Sequence, residues 1–137
     1  MITRITSTDL PRAVQRLQTL VSQINIRTGT STKRIAKQIL DDSLNIPPMA
    51  PEDTGALRST GRVEPVQKGH AVVYGGQASN GIYVDYADLV HDDMRPRNYK
   101  LAGSGPKFVE THGLKRTTEG VTIINADLQA LVKGIFG

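Results

Sequence analysis

The feature that most constrains the fold is a break in the chain at residues 47–59, where three prolines and a glycine separate two different sequence patterns. A residue that precedes proline is driven out of the helical region, so the prolines end the helical pattern before them. Asp53 or Thr54 is predicted to cap a short helical turn at residues 57–59. Leu57 is predicted to be buried and to tie this turn to the core. The residues before the break therefore read as helix and those after it as sheet.

Apolar residues recur at steps of three and four before the break, which predicts one apolar stripe on a helix. They are Leu10, Val14, Leu17, Val21 and Ile24. Ser7 or Thr8 is the predicted cap of this helix. Gly29 and the threonines around it are poor helix formers, so the pattern predicts either two helices or one long helix that tolerates Gly29.

After the break, two β-rich runs predict strands at 62–67 and 70–76, joined as a hairpin by the turn signal Lys68-Gly69. Residues 77–81 read as a polar loop. A last amphipathic helix is predicted from about Glu119 to Ile135. Its apolar face comprises Val121, Ile124, Leu128, Leu131, Val132 and Ile135.

Residues 92–106 show no periodicity and are predicted to form a flexible loop, long enough to suggest function or mobility. The loop carries a basic segment with one aromatic side chain. Its candidate contact residues are Arg95, Arg97, Tyr99 and Lys100. Basic side chains around an aromatic ring suit a nucleic-acid backbone, but a protein contact or a solvated loop fits the same pattern.

Length and composition favour a single globular domain of residues 1–137, with 38% apolar and 22% charged residues. The elements together predict an α+β fold: N-terminal helices or one long helix, a small, mostly antiparallel sheet and a C-terminal amphipathic helix. With 4% aromatic residues the core is expected to be thin. No apolar run reaches the roughly 18 residues of a membrane helix, and the N-terminus lacks the apolar run of a signal peptide.

Residues suited to catalysis or to a cofactor are not arranged in a recognisable motif. The sequence lacks cysteine, and His91-Asp92-Asp93 has no second histidine at helical spacing to complete a metal site. Neither a nucleophile elbow nor a phosphate-binding glycine loop is present. We therefore expect no enzyme activity, no cofactor and no metal, with His91 packing or hydrogen bonding at a helix end.

The net charge of +4 is concentrated in the first fifty residues, which hold seven Lys and Arg against three Asp. The rest of the chain holds ten of each sign. Such an excess suits either a face directed toward nucleic acid or an acidic partner, or a solvated helix face.

Three segments follow one another in an order that resembles the neck or tail-completion proteins of long-tailed bacteriophages. The first is Pro51-Glu52-Asp53-Thr54-Gly55-Ala56-Leu57-Arg58-Ser59, the second Tyr83-Val84-Asp85-Tyr86-Ala87-Asp88-Leu89-Val90-His91, and the third Gly105-Pro106-Lys107-Phe108-Val109-Glu110. The resemblance covers roughly residues 30–137. It implies that Thr54, Gly55, Leu57, Tyr86, Ala87, His91, Phe108 and Glu110 are structural motif residues, with a short helix at 86–91.

The resemblance further implies a structural protein of the virion, assembled in the host bacterial cytoplasm, rather than a membrane protein. Its copies would form a ring at the head–tail junction, a hexamer or alternatively a dodecamer, between the head-completion or connector protein and the tail-tube protein. Phage DNA would pass through the lumen. The resemblance brings the motif segments together and so places Arg58 near Asp85, Asp88 and Glu110. Arg58 is predicted to form a forked pair with one of these carboxylates. It is also a candidate interface residue. Gly113 and Gly120 depart from the regular last helix of the family.

A different class of function is also compatible with the basic N-terminal region, namely a small DNA-binding regulatory protein. It would need a helix-turn-helix, for which Gly29 is the candidate turn. Steep salt dependence of duplex-DNA binding would distinguish a regulator from an adaptor ring.

Overall fold

The computed structural model describes residues 9–136, with side chains from 11 to 135. This part of the chain contains four helices and four short strands, which confirms the predicted α+β class. The elements are α1 (Asp9–Asn45), α2 (Ala56–Ser59), β1 (Arg62–Val66), β2 (Gly69–Val73), β3 (Gly76–Gln77), β4 (Tyr83–Val84), α3 (Ala87–Asp92) and α4 (Glu110–Phe136). The predicted cap at Ser7 or Thr8 lies outside the described residues.

The N-terminal pattern forms one continuous helix, so the single-helix alternative is confirmed and the two-helix interpretation is wrong. The threonines around Gly29 do not interrupt α1, because their hydroxyls bond to carbonyls of the preceding turn. Thr30 donates to the carbonyl of Ile26 at 3.1 Å, and Thr32 donates to that of Gly29 at 3.1 Å. The helix ends at Asn45, just before the prolines that were predicted to stop it.

The last helix, α4, begins nine residues before its predicted start and runs through both Gly113 and Gly120. Contacts of the added turns with the end of α1 explain the earlier start, because His112 bonds to the carbonyls of Ile46 and Pro48 and Arg116 pairs with Asp42. A Cβ atom at Gly120 would overlap Cδ1 of Ile35, so the missing side chain lets α4 lie close against α1. A Cβ atom added at Gly113 would have no neighbour within 4 Å among the described residues, so packing does not require glycine at this position.

Helices α1 and α4 run antiparallel. His112 lies against Ile46, Arg116 against Asp42 and Gly120 against Ile35, so the positions in α1 decrease as those in α4 increase.

The strands form two separate antiparallel pairs, β1 with β2 and β3 with β4. The predicted hairpin is confirmed, although Gly69 pairs with Val66 and Lys68 takes the positive φ of the turn, at 66°. The second strand was predicted to reach Gly76, but β2 ends at Val73 because Gly75 and Gly76 have φ values of 109° and 96°. Gln77, predicted to start a polar loop, belongs instead to β3.

The core is small. Its buried cluster consists of Ala50, Ala56, Leu57, Ala78, Val84 and Phe108. Half of these are alanines, which makes the core as thin as the composition predicts. Leu57 is 5% exposed, which confirms its predicted burial.

The β1–β2 hairpin is attached to α1 by polar contacts as well as by packing. The Tyr74 hydroxyl donates to Ser43 Oγ at 2.6 Å, and Ser43 in turn donates to the carbonyl of Leu40. Burial raises the pKa of Tyr74. His70 Nδ1 lies 2.9 Å from Thr32 Oγ1, so a second bond holds the start of β2 to α1.

Candidate functional site

The break in the chain folds into α2, whose first two residues, Ala56 and Leu57, are buried. Its N-cap is Gly55, with φ 80° and ψ −4°, and not Asp53 or Thr54 as predicted. The left-handed conformation explains the change, because glycine adopts it without steric cost. Thr54 is exposed, and its hydroxyl lies 3.4 Å from the amide of Ala56.

Arg58 forms a fork, but its partners are carbonyls rather than the predicted carboxylates. Its guanidinium donates to the carbonyl of Ala50 at 2.6 Å and to that of Leu44 at 2.6 Å. The last carbonyls of a helix lack helical partners, so Arg58 satisfies one at the end of α1. The expected pairing with Asp85, Asp88 or Glu110 is wrong. Arg58 therefore holds the break against α1. The two guanidinium nitrogens that do so are already engaged within the subunit.

Phe108 is the point at which the three motif segments meet. It is 1% exposed and shares the core cluster with Leu57, while Tyr86 and Ala87 pack against that cluster. The His91 ring meets Phe108 edge-on, with centroids 5.0 Å apart. The short helix predicted at 86–91 is present as α3, shifted by one residue.

His91 also joins the second segment to the third through hydrogen bonds. Its Nε2 lies 3.4 Å from the amide of Glu110, and its Nδ1 lies 2.9 Å from Asp92 Oδ1. Its carbonyl accepts from the amide of Lys107 at 2.7 Å. His91 thus bonds at a helix end, as predicted.

Lys107 and Glu110, from the third segment, belong to a small surface network. Lys107 Nζ lies 2.8 Å from Asp92 Oδ1 and 3.4 Å from Glu110 Oε2. The hydrogen bond from Lys107 lowers the pKa of Asp92, and the same bond raises the pKa of Lys107. Within the residues that the structure describes, no three or more His, Asp or Glu side chains are arranged to hold a metal ion.

Two of the candidate contact residues in the loop are bonded to one carboxylate. Arg95 Nε donates to Asp93 Oδ1 at 2.9 Å, and Arg97 Nη2 lies 2.6 Å from Asp93 Oδ2. The side-chain bond from Arg95 holds the pKa of Asp93 far below its usual range, and the same bond raises the pKa of Arg95.

Lys100, the third cation of the loop, reaches back to the chain break. Its Nζ donates to the carbonyl of Asp53 at 3.1 Å. A cavity of about 370 Å³ lies between the loop and the first two motif segments. Its lining includes Thr54, Leu57, Tyr86, Arg97, Tyr99 and Lys100. The structure therefore brings three of the four candidate loop residues together, whereas Arg95 lies outside this cavity, beside Leu89.

The far end of the loop is attached to the residues that follow α1. The amide of Met49 donates to the carbonyl of Gly103 at 2.9 Å, and the amide of Gly105 donates to the carbonyl of Met49 at 3.1 Å. Residues 94–100, by contrast, form no backbone–backbone hydrogen bond to another segment of the described chain.

His112 and Arg116 are structural residues that the sequence reasoning missed. His112 is buried, and its Nε2 donates to the carbonyls of Ile46 at 2.8 Å and Pro48 at 3.1 Å. Arg116 pairs with the buried carboxylate of Asp42. Because the two residues are four positions apart, they lie on the same side of a helix. A helix predicted from Glu110 would have identified them as a pair on one helix face.

The hairpin of α1 and α4 exposes an apolar face on one side. The exposed side chains of this apolar face are Val14, Leu17 and Val21 from α1, and Leu114, Val121 and Val132 from α4. Next to β2 the apolar face deepens into a groove of about 530 Å³, lined by residues that include Ile35, Ile39, Val72 and Ile124.

The opposite side of α1 carries a basic stripe. Six exposed cations fall within an arc of about 120° when residues are placed 3.6 per turn. They are Arg12, Arg16, Arg27, Lys33, Arg34 and Lys37. Residues 10–40 contain no Asp or Glu, and none of the six forms an ion pair with a carboxylate among the described residues.

Comparison with protein-family models finds no match to the chain, and comparisons with curated proteins and with solved structures find none either. Among the described helices, none combines the length and the apolar character that crossing a membrane requires.

Proposed function

We propose that the protein is a neck or tail-completion protein of a long-tailed bacteriophage, a structural adaptor whose copies form a ring around the DNA channel. The observation that carries the proposal is the convergence on Phe108 of three segments that are far apart in the sequence. Leu57, His91 and Phe108 each come from one of the segments that carry the family resemblance, and their side chains share one small core region.

The exposed surface also fits a subunit of a larger assembly. A monomeric protein rarely exposes a large contiguous apolar patch, and a hairpin with an open apolar face is suited to contact with a neighbour. A ring requires an interface whose rotation closes on itself. Such a subunit would match a head-completion or connector protein on one side and a tail-tube protein on the other.

Electron microscopy of the purified protein and of the particle that contains it tests this proposal. The expected result is a ring at the head–tail junction, six-fold or alternatively twelve-fold, with a central channel. Light scattering of the protein mixed with its neck partner should give the matching mass. A strictly monomeric subunit within an assembled neck would contradict the proposal, whereas a free monomer before assembly would not.

A second candidate function, binding to nucleic acid, is favoured by the basic stripe of α1. The stripe extends over about 38 Å, since residues 12 to 37 each rise 1.5 Å along the helix. A helix-turn-helix is not its basis, because α1 continues without a turn through Gly29. Contact with phosphates along the length of the helix is the remaining way for this surface to bind a duplex.

The salt dependence of duplex-DNA binding tests this second candidate. Replacing Arg16, Arg27 and Arg34 with glutamine should reduce the slope of log K against log salt by about 0.9 for each phosphate contact that is lost. Replacement of the exposed Lys68, Lys115 and Lys133 with glutamine removes equal charge elsewhere and serves as the control. Equal loss of binding in both variants, or no binding by the wild type at low salt, would exclude the basic stripe as a binding surface.

A further inference from the structure

We propose that the apolar face of the α1–α4 hairpin is the surface through which copies of this chain bind one another, with a second copy as its occupant. The proposal goes beyond the proposed function, because the same face on two copies forms a two-fold pair, whereas a ring closes through contacts between two different patches. It rests on the geometry of the hairpin alone. The starting observation is that Leu17 and Val121, one on each helix, are both 53% exposed.

The spacing of the apolar residues favours another helix as the contacting element. On α4, Leu114, Val121, Leu128 and Ile135 recur every seven residues, and on α1, Val14 and Val21 do the same. A seven-residue repeat keeps one apolar seam directed toward a parallel or antiparallel neighbour over several turns. The two long helices of a second copy carry that same repeat.

The residues that flank the apolar face permit two copies to approach. The flanking positions on α1 include Gln18 and Asn25, and those on α4 include Thr118 and Gln129, all of them exposed and uncharged. Like charges facing each other would oppose self-association. Here the cations of α1 lie on the opposite side of the helix, in the basic stripe, and therefore stay clear of such an interface.

The size of the face is sufficient for a stable contact. From Val14 to Ala36 it extends about 33 Å at 1.5 Å per residue. Two helices packed 8–10 Å apart present a width of roughly 20 Å, so each copy would bury roughly 650 Å². The total of roughly 1,300 Å² lies in the range of specific interfaces, about 1,200–2,000 Å².

Sedimentation velocity over a range of protein concentrations tests the proposal with the full chain. The variant Leu17→Gln/Val121→Gln makes the face polar, and the control Ile26→Gln/Ile123→Gln places the same change on exposed isoleucines outside it. We expect self-association of the wild type and of the control, and an increase of at least about tenfold in the dissociation constant of the face variant. Circular dichroism would verify that both variants remain folded.

A cysteine scan gives a second readout that does not depend on the polar substitutions, because the chain contains no cysteine. Val21→Cys or Val121→Cys should form disulfide-linked dimers under mild oxidation, whereas Ile26→Cys should not. A wild type that stays monomeric at all concentrations, or equal weakening by both double variants, would overturn the proposal. A two-fold pair held by this face supports the proposal whether or not it grows further. Growth of such pairs into a closed multimer needs a second contact between different patches and would support the ring separately.

Discussion

Arg116 of α4 forms a two-pronged ion pair with Asp42 of α1, with Nε 2.6 Å from Oδ2 and Nη2 3.2 Å from Oδ1. The carboxylate is buried, and Arg116 also lies 3.4 Å from Glu119. Two parallel hydrogen bonds between charged groups are stronger than neutral ones and restrict the relative position of the groups. The pair therefore sets how α4 lies along α1.

Breaking this pair should destabilise the protein. Asp42→Asn removes the charge while keeping the shape, and we expect a loss of about 1.5–3 kcal/mol in the free energy of unfolding. Urea denaturation at neutral pH measures the loss. The exposed pair Arg62–Glu64 provides the control, because Glu64→Gln should cost less than about 1 kcal/mol. Equal effects of the two changes would contradict the role assigned to Asp42.

The same pair should make stability depend on pH in the acid range. The hydrogen bond from Arg116 lowers the pKa of Asp42 in the folded protein, and this effect exceeds the opposing effect of burial. An unfolded Asp has a pKa of about 3.9, so the unfolded state takes up the proton first as pH falls. The stabilisation is therefore fully present above that pH and is lost as pH falls through the lower folded pKa. Between pH 5 and 2.5, the gap in unfolding free energy between wild type and Asp42→Asn should narrow; a constant gap would show that Asp42 does not titrate as described.

Gly120→Ala should be less stable than Gly113→Ala. Alanine favours a helix over glycine by about 1 kcal/mol, and Gly113→Ala should gain this amount because nothing lies within 4 Å of its Cβ. At Gly120 the added methyl group overlaps the side chain of Ile35, and overpacking of this kind costs roughly 1–3 kcal/mol. Thermal unfolding of the two variants gives the comparison.

A double variant checks the cause of this difference. Ile35→Val removes the Cδ1 atom that the new methyl group would overlap, so Gly120→Ala should be tolerated better in that background. A coupling energy of about 0.5 kcal/mol or more between the two sites is expected. Purely additive effects would mean that α1 and α4 are not in close contact at this point.

Leu57→Ala should cost roughly 2–5 kcal/mol, because it opens a cavity in a core that contains few large side chains. The melting temperature and the urea midpoint should both fall. Val66→Ala, at an exposed position of β1, serves as the control. An unchanged urea midpoint for Leu57→Ala would show that the Leu57 side chain does not stabilise the core and that α2 is not central to the fold.

Local sequence signals predicted those parts of the fold that local physics decides. The prolines predicted the end of α1 near Asn45, the β-rich runs on either side of Lys68-Gly69 predicted the β1–β2 hairpin, and Leu57 was predicted to be a core residue. The start of α4 was missed because its first turns are held to α1 through His112 and Arg116, whose partners only the folded chain brings near.

The residues of the candidate site could be predicted from the sequence, but their hydrogen-bond partners could not. Phe108, His91 and Leu57 were identified from the motif order, and they do lie together. The partners of Arg58 could not be foreseen, because its acceptors are main-chain carbonyls 8 and 14 residues earlier, and every residue carries such a carbonyl. Only the path of the chain after α1 selects which of them the guanidinium meets.

The part of the loop at residues 94–100 should exchange its amide hydrogens quickly in the free subunit and become protected on assembly. It has little apolar surface to offset an ordering entropy of roughly 1–2 kcal/mol per residue. The amides of Met49 and Gly105, in contrast, donate to the carbonyls of Gly103 and Met49 and should be protected throughout. Hydrogen exchange of the free and assembled protein measures both segments. Equal, strong protection of residues 94–100 in the two states would exclude this coupling of order to assembly.

The charges of this loop should matter for assembly and not for folding. Arg95 and Arg97 pair with Asp93 at the surface, where such pairs contribute little to stability, and Lys100 donates to the exposed carbonyl of Asp53. Replacing all three cations with alanine should therefore leave the urea midpoint nearly unchanged but impair neck assembly or infectious yield. The variant Lys68→Gln/Lys115→Ala/Lys133→Ala removes equal charge from the hairpin turn and α4 and should assemble normally. If both triple variants assembled as well as the wild type, the loop cations would have no part in the contacts of the neck. A fall in the unfolding free energy of the loop variant alone would show that these cations stabilise the fold instead.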